Sequence, residues 1–205
     1  NHRPPALARV LGREYPLSDD ITGSIGFVSF GTDDTPGPAN VSVQITNARG
    51  ELETTTIPIT ILATEWTVDY INLPPGSGEI LDDPDRIEAE YARLMSIYGG
   101  NIPKLWDGTW ISPAPGAPIT GYFGEQRSFN GGPPSGHHGG TDLGAPTGTP
   151  VRPANAGTVV LAGRYLVRGN LVVIDHGGGV LSLYGHMNEL AVVTGQPVSK
   201  NQVIG

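Results

Sequence analysis

Glycine and proline interrupt this chain so often that few stretches are long enough for a helix: 30 Gly and 19 Pro fall among 205 residues, with no repeat period. A proline removes a backbone donor, and a glycine costs more conformational entropy than any other residue when held in a regular element. Short strands between turns tolerate that spacing and long helices do not, so the expected class is mostly β. An apolar fraction of 38% suffices for a buried core, and 16% charged residues is not the signature of wholesale disorder.

Charge excludes several functions. The formal net charge is -8, and the only lysines are Lys104 and Lys200. A nucleic-acid binder needs a basic footprint, and an anionic membrane surface needs a basic cluster. Neither is present. There is no cysteine, which rules out disulfide frameworks and thiolate-bound zinc. No run of about 18 apolar residues exists, so no membrane-spanning helix is expected. The chain starts at Asn1 without a signal peptide. An exported protein would have its targeting segment upstream.

Residues 21–73 show antiparallel β patterning. Val41, Val43 and Ile45 alternate with polar residues, as do Ile57, Ile59 and Ile61, and Trp66, Val68 and Tyr70. Asn47–Gly50 suits a hairpin loop, and Pro58 assigns its strand to a sheet edge. These features predict a small β-sandwich-like accessory module over residues 1–75. Pro74–Gly78 is a linker or turn signal. One helix follows, expected over residues 84–98. Asp83 can cap it, Pro84 suits its first position, and Ile87, Tyr91, Leu94, Met95 and Tyr98 form one apolar stripe. The helix lies in a linker spanning residues 76–106. From Pro115 onward come 19 of the 30 glycines, which marks a different unit, taken as 107–205. Its expected strands are Thr158–Leu161, Leu171–Asp175 and Val180–Tyr184, with Gly177–Gly179 as a tight connection. This unit is expected to be an all-β domain of antiparallel strands.

The candidate chemistry starts at His138-Gly139-Gly140-Thr141-Asp142. An imidazole and a carboxylate are both zinc ligands. In a fully extended strand their Cα atoms would stand roughly 13 Å apart. Each side chain reaches a metal only about 5–6 Å from its Cα, so shared ligation requires a backbone bend. Gly139 and Gly140 permit one. Further on, the strand alternation predicts that Tyr184 and His186 share a face opposite Leu181 and Leu183. His137 is expected in an exposed loop, and His176 at a strand end opening a glycine turn.

An ordered series of motifs connects these residues. It runs Ile119-Thr120-Gly121-Tyr122-Phe123-Gly124, Arg127, Phe129-Asn130-Gly131, His138-x-Gly140-x-Asp142-Leu143, Gly148-Thr149-Pro150-Val151 and Ala156-Gly157-Thr158-Val159. It continues through Gly169–Gly177, Tyr184-x-His186-Met187 and Gly195-x-x-Val198-x-x-x-Gln202-x-Ile204-Gly205. Over about residues 113–205 this series resembles the lysostaphin-like (LytM-type) zinc endopeptidases.

The resemblance implies a small antiparallel β core with a groove, a Zn2+ cofactor, and hydrolysis of peptidoglycan peptides outside the cytoplasm by a zinc-bound water. His138 and Asp142 match two of the three metal ligands. His186 matches a catalytic histidine facing that water. His137, His176 and Tyr184 are candidates for the groove wall or for supporting contacts. The family's third ligand belongs to a His-x-His motif that normally follows the Gly-Gln-x-Ile-Gly signature. The chain stops within that signature, so the site is expected to be incomplete here. A stem-peptide cross-link and a glycine-rich bridge are both possible substrates. The competing expectation is a non-catalytic member of the same fold that binds peptidoglycan or activates another cell-wall hydrolase.

Overall fold

A computed structural model describes residues 6–20, 23–74, 83–98 and 102–205. The first part contributes β1 (Leu7–Val10), β2 (Arg13–Pro16), β3 (Ser18–Asp20), β4 (Gly23–Ile25), β5 (Gly37–Thr46), β6 (Leu52–Ile61) and β7 (Val68–Ile71). Four of these form an antiparallel sheet in the order β2-β1-β5-β6, and β3 and β4 form a separate ribbon. Ala8, Val10 and Val41 are its buried centre, with Tyr15, Val28, Val43 and Ile59 packed around them. The Asn47–Gly50 hairpin forms as the sequence indicates. The Asn47 N–H donates to the Glu51 carbonyl at 2.9 Å, and its Oδ1 accepts from the Arg49 and Glu51 amides. Pro58 sits in β6, an edge strand, where its missing donor breaks no ladder.

Residues 75–78 of the expected linker lie outside the described residues. The helix α1 (Pro84–Met95) starts where its signals place it, with the Asp83 carboxylate accepting from the Arg86 N–H at 3.1 Å. It ends at Met95 rather than residue 98. Ser96 caps it, and the next residues form a turn. Of the apolar stripe only Leu94 is fully buried, while Tyr91, Met95 and Tyr98 stay largely exposed. Leu94 packs against Leu161, Leu171 and Val173, so α1 lies on the C-terminal sheet.

The remaining strands are β8 (Ile119–Gly121), β9 (Gln126–Phe129), β10 (Ser135–His137), β11 (Asp142–Leu143), β12 (Gly157–Tyr165), β13 (Gly169–Asp175), β14 (Leu181–Met187) and β15 (Pro197–Val198). The central sheet has the order β14-β13-β12-β15, antiparallel throughout. Val159, Val172, Ile174, Tyr184, Met187, Val192, Val198 and Ile204 form its main core. The chain is thus mostly β, as its punctuation requires. One pairing departs from the antiparallel expectation. Strand β7 runs parallel to β9, with Val68 opposite Gln126 and Ile71 opposite Phe129, in a sheet ordered β10-β9-β7. Hydrogen bonds therefore cross from the region before residue 75 into the region after 107.

A candidate metal centre

Two short pairings bring the candidate ligands together. The β8–β11 pair sets Asp142 opposite Gly121. The β9–β10 hairpin delivers the chain to His138, directly after β10. The bend between His138 and Asp142 is present: β10 and β11 belong to different sheets. It uses neither Gly139 nor Gly140 in a positive-φ conformation. The glycine that matters sterically is Gly121. A Cβ there would lie 2.8 Å from Asp142 Oδ2, closer than real Cβ contacts allow.

His138 Nε2 stands 3.2 Å from Asp142 Oδ1, and His138 Nδ1 stands 3.1 Å from the Tyr122 carbonyl. A carbonyl only accepts, so Nδ1 carries a proton. On a neutral ring, Nε2 then points a lone pair at a carboxylate oxygen. Two acceptors at that distance repel unless a proton or a cation lies between them. Zinc bound at about 2.0–2.1 Å to nitrogen and 2.0–2.2 Å to oxygen, at a tetrahedral angle, separates two ligands by about 3.4 Å. The observed spacing and the carbonyl-backed imidazole both fit such an ion. Among the described residues no group of three His, Cys, Asp or Glu side chains gathers as a complete site.

The other oxygen, Asp142 Oδ2, accepts from Arg127 Nη2 at 3.1 Å. The Tyr122 carbonyl is held by a turn. The Gly124 N–H donates to the His138 carbonyl and the His138 N–H to the Glu125 carbonyl, both at 2.8 Å. Glu125 Oε2 accepts from the Tyr122 N–H at 2.8 Å. Gly124 has φ of 88°, and Trp66 lies over it so closely that a Cβ would collide with the ring. Trp66 thus joins the upstream region to the turn that orients His138.

The other candidates fall elsewhere. His137 lies in β10 rather than a loop; its Nδ1–H donates to the Gly124 carbonyl at 2.7 Å, and its ring meets Trp66 edge-on at 5.4 Å. His176 is fully buried, with Nδ1–H donating to the Ala156 carbonyl and Nε2 2.7 Å from Ser182 Oγ. Burial pushes its pKa below the ordinary histidine value, so the ring is held neutral. Tyr184 is buried as well; its hydroxyl accepts from the Ala154 N–H and contacts Ser182 Oγ, both at 2.8 Å. Burial raises its pKa. His176 and Tyr184 therefore belong to one interior polar network, and neither lines an open groove.

His186 is exposed, and its backbone adopts a left-handed φ of 57°. The β13–β14 register shifts there: Asn170 faces Met187 while Val172 faces Tyr184. This bulge overturns the expectation that Tyr184 and His186 share a face. One extra residue breaks the period of two, sending Tyr184 into the core and His186 to solvent. Among the described residues, His186 does not gather with His138 and Asp142 into a group of three that could hold a metal ion.

Arg127, Gly121, Trp66 and the Tyr122 carbonyl carry site geometry that sequence reasoning did not assign. Arg127 and Gly121 appear in the motif series, but no spacing rule ties either to Asp142. A carbonyl leaves no mark in a side-chain pattern.

Comparison with known proteins agrees with this picture. Residues 136–205 match the model of Peptidase family M23. A 68-residue stretch is 43% identical to Peptidoglycan DD-endopeptidase ShyA of Vibrio cholerae, covering 33% of this chain and 16% of that protein. Over 98 residues the chain is 40% identical to the Lipoprotein NlpD/LppB homolog of Pseudomonas aeruginosa, 47% of this chain and 30% of the relative. It is 41% identical over 68 residues to DD-carboxypeptidase/endopeptidase Mpg of Neisseria meningitidis, 33% of this chain and 16% of that protein. The matches span 15% to 38% of the curated relatives' own lengths. A solved candidate peptidase M23 from Pseudomonas aeruginosa has the same fold, with a TM-score of 0.68 at 23% identity, over 100% of this chain and 76% of that one. Over residues 136–205, the chain is similar to Peptidase family M23, whose model it matches there.

Proposed function

We propose that this protein is a zinc-dependent endopeptidase that hydrolyses peptide bonds of bacterial peptidoglycan outside the cytoplasm. The observation that carries the reading is the His138 Nε2–Asp142 Oδ1 pair at 3.2 Å, an imidazole nitrogen and a carboxylate oxygen facing each other while His138 Nδ1 stands 3.1 Å from the Tyr122 carbonyl. Several of the relatives are named for peptidoglycan endopeptidase or DD-carboxypeptidase/endopeptidase activity, and others are named lipoproteins. His138 and Asp142 are the residues that would hold the ion. An ion held there would offer Lewis acidity and a water of lowered pKa. His186, exposed at the end of β14, is assigned to proton transfer. Hydrolysis adds a hydroxyl to the carbonyl carbon and a proton to the leaving amine, and His186 delivers that proton. No helix among the described residues is long and apolar enough to cross a membrane.

The test measures zinc content and muropeptide release for single variants of the native protein. His138→Ala and Asp142→Ala are expected to lose both zinc and hydrolysis. His186→Ala is expected to keep zinc and lose hydrolysis by about 100-fold or more. Zinc lost in His186→Ala would make that residue a ligand. Peptidoglycan binding without hydrolysis in the unaltered protein would establish the non-catalytic alternative.

A further inference from the structure

We infer that Arg127 is a positioning residue that restricts Asp142 to one metal-binding oxygen, and so keeps a coordination position open. The inference rests on the metal site proposed above. The two carboxylate oxygens of Asp142 have different surroundings. Oδ1 faces His138 Nε2 at 3.2 Å, while Oδ2 accepts from Arg127 Nη2 at 3.1 Å and lies against the bare Cα of Gly121. An ion between Nε2 and Oδ1 meets one oxygen only. Ligation through both oxygens would require the carboxylate to swing Oδ2 away from the guanidinium.

Arg127 is not kept here by good internal pairing. Its Nε is buried and has no hydrogen-bond partner. An unpaired buried donor costs stability and calls for an explanation. Arg127 is also brought to Asp142 by tertiary structure alone. It lies on β9, in the β10-β9-β7 sheet, whereas Asp142 lies on β11. The interaction has a chemical consequence. A catalytic zinc site uses three protein ligands and leaves one position for water or substrate. A bidentate aspartate would fill that position.

Cobalt(II) substitution of the native protein tests this, because four-coordinate cobalt absorbs visible light more strongly than five-coordinate cobalt. In Arg127→Met, which keeps much of the volume and removes the charge and donors, the visible absorption per bound cobalt is expected to fall about two- to threefold as Asp142 becomes bidentate. Arg127→Lys, which keeps a cationic donor, is expected to recover at least half of the lost intensity. The metal-free melting temperature of Arg127→Met is expected to equal or exceed that of the unaltered protein, since an orphaned buried donor is removed. An unchanged cobalt spectrum in Arg127→Met, with binding in the parent abolished by Asp142→Ala, would overturn the inference and leave the metal site standing. Cobalt binding that is absent in the parent, or indifferent to Asp142→Ala, would overturn the metal site and this inference with it. A metal-free melting temperature well below the parent's would show Arg127 to be structural and overturn its positioning role.

Discussion

At Gly121 the missing side chain matters more than any conformational freedom. Its backbone needs no positive φ, yet a methyl group there would sit 2.8 Å from Asp142 Oδ2. The carboxylate would have to rotate, breaking its alignment with His138 and its bond to Arg127. Gly121→Ala is therefore expected to weaken zinc binding by roughly 10–100-fold, the usual effect of disturbing groups that support a metal ligand. Gly140→Ala is the matched control. Its Cβ would come only as near as 4.0 Å to His138 Nε2, an ordinary contact. Competition with a chromogenic zinc chelator measures both, and equal affinity in the two variants would contradict the steric argument. At this scale the sequence was legible for donor types: His138 and Asp142 carry groups that can bind a metal, and the need for a bend if they are to share one follows from reach alone. Gly121 and Arg127 are not legible, because a steric vacancy and a salt bridge across two sheets leave no local periodicity.

Alternation and capping predict elements well wherever one rule governs. Strands β5 and β6, their Asn47 turn and the start of α1 all follow local signals. Strand β14 fails where a bulge adds a residue, so the face of His186 could not be read from a period of two. Helix α1 shows a second kind of surprise, since its most consequential residue is polar. The Glu90 carboxylate, mostly buried, accepts from the Leu166 N–H at 2.5 Å and the Val167 N–H at 3.4 Å, in the turn between β12 and β13. It satisfies backbone donors that the hairpin itself leaves free. Glu90→Ala is expected to cost about 1–3 kcal/mol, as a charged acceptor is removed from part-buried amides. Urea denaturation followed by circular dichroism measures this. A loss below about 0.5 kcal/mol, typical of a plain surface change, would show that α1 is not anchored through Glu90.

Among the described residues, the region before residue 75 meets the chain from residue 102 onward in two areas. At one, β7 adds to β9 and Trp66 covers the turn behind His138. At the other, Phe27 packs on Trp106 at 5.7 Å, and Trp106 leads through Trp110 to His176. The Gly177–Gly179 turn has positive φ at all three positions, and a Cβ on Gly177 would strike the Pro103 carbonyl. Glycine there allows both the turn and the close approach of the segment leading to Trp106. Limited proteolysis is expected to cut first within residues 74–80 or 99–104, where glycine and proline cluster. The cut fragments are expected to co-elute in native size-exclusion chromatography, held by the β7–β9 ladder and the aromatic contacts. A first cut inside 158–185 would contradict the division into units, and separate elution would contradict their coupling.

What the sequence by itself determined is whatever depends on near neighbours along the chain. Turn residues limited element length and so made the protein mostly β. Alternation assigned strands, a cap and a proline started helix α1, and the ordered motifs pointed to the resemblance that the comparison over residues 136–205 bears out. Only the tertiary structure decided that β7 leaves its neighbours to pair with β9, that His176 and Tyr184 are interior groups, and that Arg127, Gly121 and Trp66 converge on Asp142 and His138. The physical reason is range. Propensity, capping and periodicity act over a few residues, whereas the site is assembled by sheet pairing and steric contact between segments as far as 71 residues apart, as His137 is from Trp66.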